Sequence, residues 1–186
     1  MRKFQALLLA ALLLLQGCAT LVPSDPRSAK RQWFDQHIEM EIGGLVNKPP
    51  YRQQARINAV AFDGKVLLVG QAVDEATKSQ LAEQIRQLSN VSTVFNQIQV
   101  RPLPKLGEVS QDSWLTTKVK SQLIGSKKLQ DVAIQVLTES QAVYLLGYVT
   151  REQAHIATEI ARNVNGVKQV VKVFEYLESP PAADPS

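Results

Sequence analysis

The sequence predicts an α+β protein: two tandem α-β-β-α-β domains, each a three-stranded mixed sheet covered by two helices. Three observations carry this. The run Val66-Leu67-Leu68-Val69-Gly70-Gln71 returns 77 positions later as Val143-Tyr144-Leu145-Leu146-Gly147-Tyr148. Its surroundings repeat as well: Ala55 to Ala59 aligns with Val132 to Val136 at the same offset. Val91, Val94, Ile98 and Val100 align with Val167, Val170, Phe174 and Tyr176 at an offset of 76. Upstream, Trp33-Phe34 and Ile38…Ile42 align with Trp114-Leu115 and Val119…Leu123 at an offset of 81, the changes of offset falling where loops are expected. Self-similarity of this kind means one supersecondary unit used twice.

Composition agrees. The chain has 186 residues, 45% of them hydrophobic and 20% charged, which suits a globular protein rather than a disordered one. A net charge of +4 is modest and does not by itself call for nucleic acid. Met1-Arg2-Lys3 followed by the apolar run Leu7 to Leu15 reads as the charged and apolar regions of a signal peptide, too short to span a bilayer. It ends in Leu15-Gln16-Gly17-Cys18-Ala19, which resembles a bacterial lipobox, with Gln16 departing from the usual small residue. Cys18 is the only cysteine, so it has no partner within the chain. Cleavage before it and acylation of its thiol and amine are expected, and two or more acyl chains anchor stably. Ala19 rather than Asp after the cysteine favours the outer membrane, by resemblance to sorted lipoproteins.

The elements follow in order. Ala19 to Arg31, with Pro23 and Pro26, reads as a flexible tether. Phe34, Ile38 and Ile42 predict a helix over Trp33–Gly44, ended by Gly43-Gly44. Ala55 to Phe62 and Val66 to Gln71 read as strands joined by the hairpin signal Asp63-Gly64. Asp74 can cap a helix with Ala76, Leu81, Ile85 and Leu88 inward, before a strand over Val94 to Val100. Arg101 to Gly107 reads as a linker stiffened by Pro102 and Pro104. The second unit begins with a helix from about Ser113 to Ile124, with Asp112 as N-cap. Strands follow at Val132 to Leu137 and Val143 to Tyr148. The capping box Thr150-Arg151-Glu152-Gln153 starts a helix to about Asn163, and the last strand lies within Val167 to Tyr176. A right-handed strand-helix-strand crossover makes the second and third strands of each unit parallel. The expected organisation is a signal peptide over 1–17, lipidated cysteine and tether over 18–32, domains over 33–101 and 112–178, a linker over 102–111 and a disordered tail over 179–186.

This order, the apolar strand closed by glycine and the lead into the last strand, Gly166-Val167-Lys168-Gln169-Val170, resemble the BON domain family. The first unit departs from it, since Asn90-Val91-Ser92-Thr93-Val94 lacks the glycine. With the lipobox and Asp112-Ser113-Trp114-Leu115-Thr116-Thr117-Lys118-Val119, the chain is similar to dual-BON outer-membrane lipoproteins from Cys18 to Leu177. The resemblance implies a periplasmic location, binding of anionic phospholipid through the second domain, enrichment at the division septum, and support of envelope integrity.

Catalytic chemistry has little to work with. His37 and His155 lie in different repeats, and neither accompanies a nucleophile pattern. His37-x-Glu39-x-Glu41 does not converge on a metal, because residues two apart on a helix face different ways. There is no phosphate-cradling glycine loop. The expectation is a monomeric binding protein, with no enzyme activity, metal, cofactor or nucleic-acid partner.

The charge contrast between the repeats is more informative. Helix Trp33–Gly44 carries Asp35, Glu39 and Glu41 and no Lys or Arg, whereas its counterpart carries Lys118 and Lys120, with Lys127 and Lys128 just beyond. Residues 33–101 balance seven basic against seven acidic groups, and residues 113–178 hold eight against six. A core does not require that change of sign, so it points to a negatively charged partner. At about 100° per residue, Trp114 falls far from the Leu115–Val119–Leu123 stripe, with Thr117, Lys118 and Ser121 on its side and Ile124 at the margin. Trp beside Lys suits an interfacial anchor. A staple against the linker or the other domain suits Trp114 equally, and Trp33, without basic neighbours, supports that. Lys127-Lys128 reads equally as a solvated loop. The resemblance favours lipid contact by Trp114, Thr117, Lys118, Lys120, Ser121, Ile124, Lys127 and Lys128. The alternative is a protein-interaction adaptor for outer-membrane protein assembly machinery, with Trp114 at an interface. Peptidoglycan binding would need a wall-binding module that the sequence lacks.

Overall fold

The computed structural model describes residues 25–177. The signal peptide, Cys18, most of the tether, Glu178 and the tail over 179–186 lie outside the described residues. Two three-stranded sheets are present, β1 (Ala55–Phe62), β2 (Lys65–Ala72) and β3 (Thr93–Val100) in one, β4 (Gln135–Glu139), β5 (Ala142–Val149) and β6 (Gln169–Tyr176) in the other. In each the central strand pairs antiparallel with the first and parallel with the third. Helices α1 (Ala29–Val46) and α2 (Glu75–Arg86) cover the first sheet, and α3 (Leu106–Ile124) and α4 (Arg151–Arg162) the second. The mixed α+β architecture is the one the repeat implies.

Caps set the helix starts. Asp74 accepts the Thr77 N–H at 2.7 Å, and Thr150 and Gln153 form the reciprocal capping box. The first helix differs from the sequence reading at both ends. Ser28 caps it, and it runs through Gly43-Gly44 to Val46. Two glycines cost about 1 kcal/mol each in a helix, but burial of Ile42 and Val46 against the sheet outweighs this. Beyond it, Tyr51–Gln54 forms a single helical turn.

The second unit's first helix differs more. It begins at Leu106, not Ser113, taking in residues read as linker. The Glu108 carboxylate accepts the Lys105 N–H at 2.8 Å and closes its first turn. Asp112 is therefore not an N-cap. Its buried carboxylate reaches the β4–β5 hairpin and accepts the Ser140 and Gln141 N–H groups, both at 2.8 Å. Both turn residues have positive φ, 54° and 65°, without being glycine. Asp35 does the same for Asp63 and Gly64, at 2.8 Å each. A two-residue hairpin of this kind leaves two N–H groups that the sheet cannot satisfy, and one carboxylate takes both.

These contacts correct the repeat register. Asp35, Ile38, Ile42 and Val46 are the buried residues of α1, and Asp112, Leu115, Val119 and Leu123 those of α3, a constant offset of 77 (112 − 35). The offset of 81 was one helical turn too long. A stripe at four-residue spacing superimposes on itself after one turn, so apolar pattern alone could not detect the slip. Trp114 is thus equivalent to His37, not to Trp33. Downstream, Gly70 pairs with Ile98 and Gly147 with Phe174, consistent with 76.

The glycine that the sequence placed at the close of each central strand lies two residues before its end, and it has a steric reason. Gly70 (φ +133°) and Gly147 (φ +153°) lie where a Cβ would approach the Arg56 and Ala133 carbonyl oxygens to 2.1 and 2.6 Å.

The two sheets pack against each other on the faces their helices leave free. Leu67 and Val69 meet Tyr144 and Leu146, with Val60, Leu137, Val171 and Val173 around them. Polar contacts rim this second core. Asn58 donates to Glu139 at 3.1 Å, Gln71 donates to the same carboxylate, and Arg101 donates to Ser140 Oγ at 2.6 Å. At another edge Tyr148 donates to Asp63 at 3.1 Å, its ring 5.1 Å from Phe62, and Lys65 pairs with Glu175.

Candidate membrane-facing site

Helix α3 turns Asp112, Leu115, Val119 and Leu123 inward, which fixes what it turns outward. Trp114 is 54% exposed. The Lys118 ammonium stands 4.6 Å from the centre of its ring, within cation–π range. Thr117 and Ser121 are exposed on the same side, Thr117 donating to the Ser113 carbonyl at 3.0 Å.

The remaining residues anticipated for this site lie on its flank. Ile124 is 74% exposed, at the end of α3. With Lys120 it borders a cavity of about 480 Å³ walled by Leu123, Leu129, Val132 and Ile134. Lys127 and Lys128 are exposed on a 3₁₀ turn held by buried Leu129. The anticipated residues therefore form an outer strip, Trp114–Thr117–Lys118–Ser121, and a flank running from Lys120 and Ile124 to the lysine pair.

The corrected register sharpens the contrast between domains. Where the second domain presents Trp114 and Lys118, the first presents His37 and Glu41, whose imidazole and carboxylate are 3.5 Å apart (i, i+4). Trp33 stacks on His37 at 5.4 Å and is itself exposed. The whole-helix contrast weakens at the same time. The longer α1 includes Lys30 and Arg31, and the longer α3 includes Glu108 and Asp112. Asp35 and Asp112 are committed to hairpins, and Glu39 accepts the Ala61 N–H at 2.8 Å, its carboxyl pushed up by burial despite that bond. What survives is local: a His–Glu pair in one domain, a Trp–Lys pair in the other.

Sequence reasoning missed a cluster at the start of the chain. Arg27, assigned to the tether, is a half-buried residue whose side chain turns inward, its guanidinium 4.0 Å from the Phe62 ring centre. It donates to Asp35 at 2.6 Å and to Asp25 at 2.6 Å. Burial pushes the Asp25 carboxyl up, but hydrogen bonds from the Arg27 side chain and backbone more than offset this and hold it below its usual value. Asp25 and Arg27 also line the cavity beside Lys120 and Ile124. The sole local signal was Ser28, a possible cap ahead of the helix formers Ala29-Lys30-Arg31-Gln32.

Among the described residues, no three His, Cys, Asp or Glu side chains come together as a metal site, and no helix is long and apolar enough to cross a membrane.

Two three-stranded mixed sheets, each covered by its own pair of helices, define a tandem α+β protein built from one unit used twice. The chain belongs to the BON domain family, whose profile matches residues 34–102 and 111–178. It is 36% identical to the outer membrane lipoprotein DolP of Haemophilus influenzae over 187 residues, covering 95% of this chain and 97% of that protein. It is also 36% identical to the 21 kDa hemolysin of Actinobacillus pleuropneumoniae over 157 residues, 84% of this chain and 81% of that one. Likeness across nearly the whole length identifies an outer-membrane lipoprotein with two BON domains.

Proposed function

We propose that this lipoprotein, acylated at Cys18 and facing the periplasm as a monomer, binds anionic phospholipid through α3 of its second domain. By doing so it supports envelope integrity and marks division sites. The observation that carries the reading is the Trp114–Lys118 pair, 4.6 Å apart and outward, where the first domain has His37–Glu41.

The strip suits a headgroup layer. An indole settles at headgroup depth while the Lys118 stem lies along the ring and its ammonium meets phosphate. Exposed Ile124 can enter between acyl chains, with Lys120, Lys127 and Lys128 meeting further phosphates. Four basic groups contribute about 1 kcal/mol each near an anionic surface, about 4 kcal/mol together, which corresponds to a Kd of roughly 1 mM. That suffices to choose a lipid neighbourhood once an acyl chain holds the protein on the membrane, and not to recruit it from solution at low concentration.

The test is vesicle flotation of a soluble form starting at Ala19, with accessible lipid at about 10 mM so that a Kd of roughly 1 mM leaves most of the protein bound. Binding is expected to anionic but not zwitterionic vesicles, to weaken with salt, and to be lost in Trp114→Glu with the fold intact. Absence of binding to anionic vesicles at low salt would overturn the reading. It would favour the adaptor for outer-membrane assembly proteins, for which the first domain offers exposed Trp33 and Met40 beside Glu41 on α1.

A further inference from the structure

The cluster around Arg27 does more than cap a helix. Its guanidinium is held by Asp25, by Asp35 and by the face of Phe62, and its side chain is 6% exposed. Asp35 is in turn bonded to the β1–β2 hairpin. The chain is thus fixed to the first domain from Asp25 onward, four residues before α1 begins (29 − 25). Asp25 and Arg27 share the walls of one cavity with Lys120 and Ile124, so the fixed point stands beside the end of α3 in the other domain. The first domain's first helix carries exposed Trp33 and the His37–Glu41 pair instead, with Lys30 5.7 Å from the Phe34 ring centre near its start.

We infer that the Arg27 clamp fixes the point at which the acylated N-terminus leaves the body beside the second domain's α3, so that acyl anchor and Trp114 strip engage one leaflet as a bivalent unit. This rests on the phospholipid reading above and on acylation of Cys18. Cys18 and Asp25 are seven residue steps apart (25 − 18), a reach of at most about 25 Å at roughly 3.3–3.6 Å per step. A leash that short keeps the strip near the bilayer at high effective concentration, so weak lysine contacts become productive. The first domain acquires a task in this arrangement: it carries the clamp and, through the sheet–sheet interface, sets the tilt of α3. Arg27 is a positioning residue and touches no lipid.

The consequence is a dependence on leash length. Effective concentration falls roughly as the −3/2 power of length. Twenty Gly/Ser residues inserted between Ser24 and Asp25 lengthen the leash from 7 to 27 steps, and (27/7)^1.5 predicts about an eightfold fall in the ratio of docked to undocked strip. Arg27→Ala frees the chain to the start of α1, from 7 to 11 steps, and predicts about a twofold fall.

The experiment uses acylated full-length protein in vesicles of anionic phospholipid containing a brominated lipid, at a salt concentration where docking is partial. Trp33→Phe leaves Trp114 as the one tryptophan, and its quenching reads the docked ratio. The 20-residue insert at position 24 should lower that ratio about eightfold and Arg27→Ala about twofold. The same insert at the C-terminus, and the position-24 insert in the soluble form from Ala19, should change nothing. Soluble protein that binds anionic vesicles, together with acylated protein whose docked ratio ignores the insert, would overturn this inference and leave the lipid reading standing. No quenching of Trp114 in any form would overturn both.

Discussion

Leu146 sits on the side of its sheet away from α3 and α4, and is 2% exposed because the first domain covers it. A domain considered alone would carry it on a solvated face, where a charge is harmless. In the intact protein Leu67, Val69, Tyr144 and Leu146 form a second core, each side chain contributing about 1.5–3 kcal/mol when fully buried. The four sum to about 6–12 kcal/mol, an upper bound before the cost of ordering the two domains. Leu146→Ala removes about 2–5 kcal/mol of this and should weaken docking without abolishing it. Leu146→Glu buries an unpaired carboxylate, which costs more than the interface is worth, so the sheets should part while each domain keeps its own core. The tryptophans make this measurable, since Trp33 reports the first domain and Trp114 the second. In urea, single-tryptophan versions made with Trp114→Phe or Trp33→Phe should unfold together in the parent protein. Leu146→Glu should separate the two transitions, with a lower slope for each, because each then exposes less surface. Coincident transitions with unchanged midpoints in Leu146→Glu would refute the sheet–sheet interface.

Two further outcomes follow from the buried carboxylates. Asp112→Ala leaves the Ser140 and Gln141 N–H groups without acceptors in a turn already at positive φ, and should cost about 2–4 kcal/mol. Urea unfolding followed at Trp114 checks this, and a loss below about 0.5 kcal/mol would mean that Asp112 does not brace the hairpin. Burial raises the Glu39 carboxyl, so the folded value lies above the unfolded one. Its contribution to stability is therefore fullest below the unfolded value and is lost as pH rises through the folded one. Glu39→Gln keeps an acceptor for the Ala61 N–H without titrating. It should match the parent in acid and melt at a higher temperature at neutral pH, and a difference in melting temperature that does not grow between those conditions would count against the assignment.

Much of the architecture was legible because the repeat gave every element two chances to be read. The apolar central strands, the Asp63-Gly64 turn, the Asp74 cap and the Thr150 capping box all depend on neighbours a few residues away, and all stand where local chemistry puts them, though each central strand runs two residues past its glycine. The outward direction of Trp114 also followed from helical period alone. The slip of α3 by one turn shows the limit of that reasoning. A four-residue stripe is blind to a four-residue error, and only the long-range bonds of Asp35 and Asp112 distinguish the registers.

The interface between the domains was half visible. Val66, Leu67, Leu68 and Val69 are apolar at successive positions, which a strand covered on one face does not need. Two helices can cover only one face, so the run already called for something on the other. What covers it is a second copy of the same pattern, 77 residues away, and no local rule names the partner. The amino-acid sequence by itself determined the number of units, the order of their elements and which face of α3 meets solvent, because these depend on propensity, period and caps. The tertiary structure alone decided that the sheets meet back to back, that Asp112 serves a hairpin rather than a helix end, and that the Arg27 side chain turns inward as a clamp beside α3. Each of these is settled by groups far apart in the chain competing for the same buried partners.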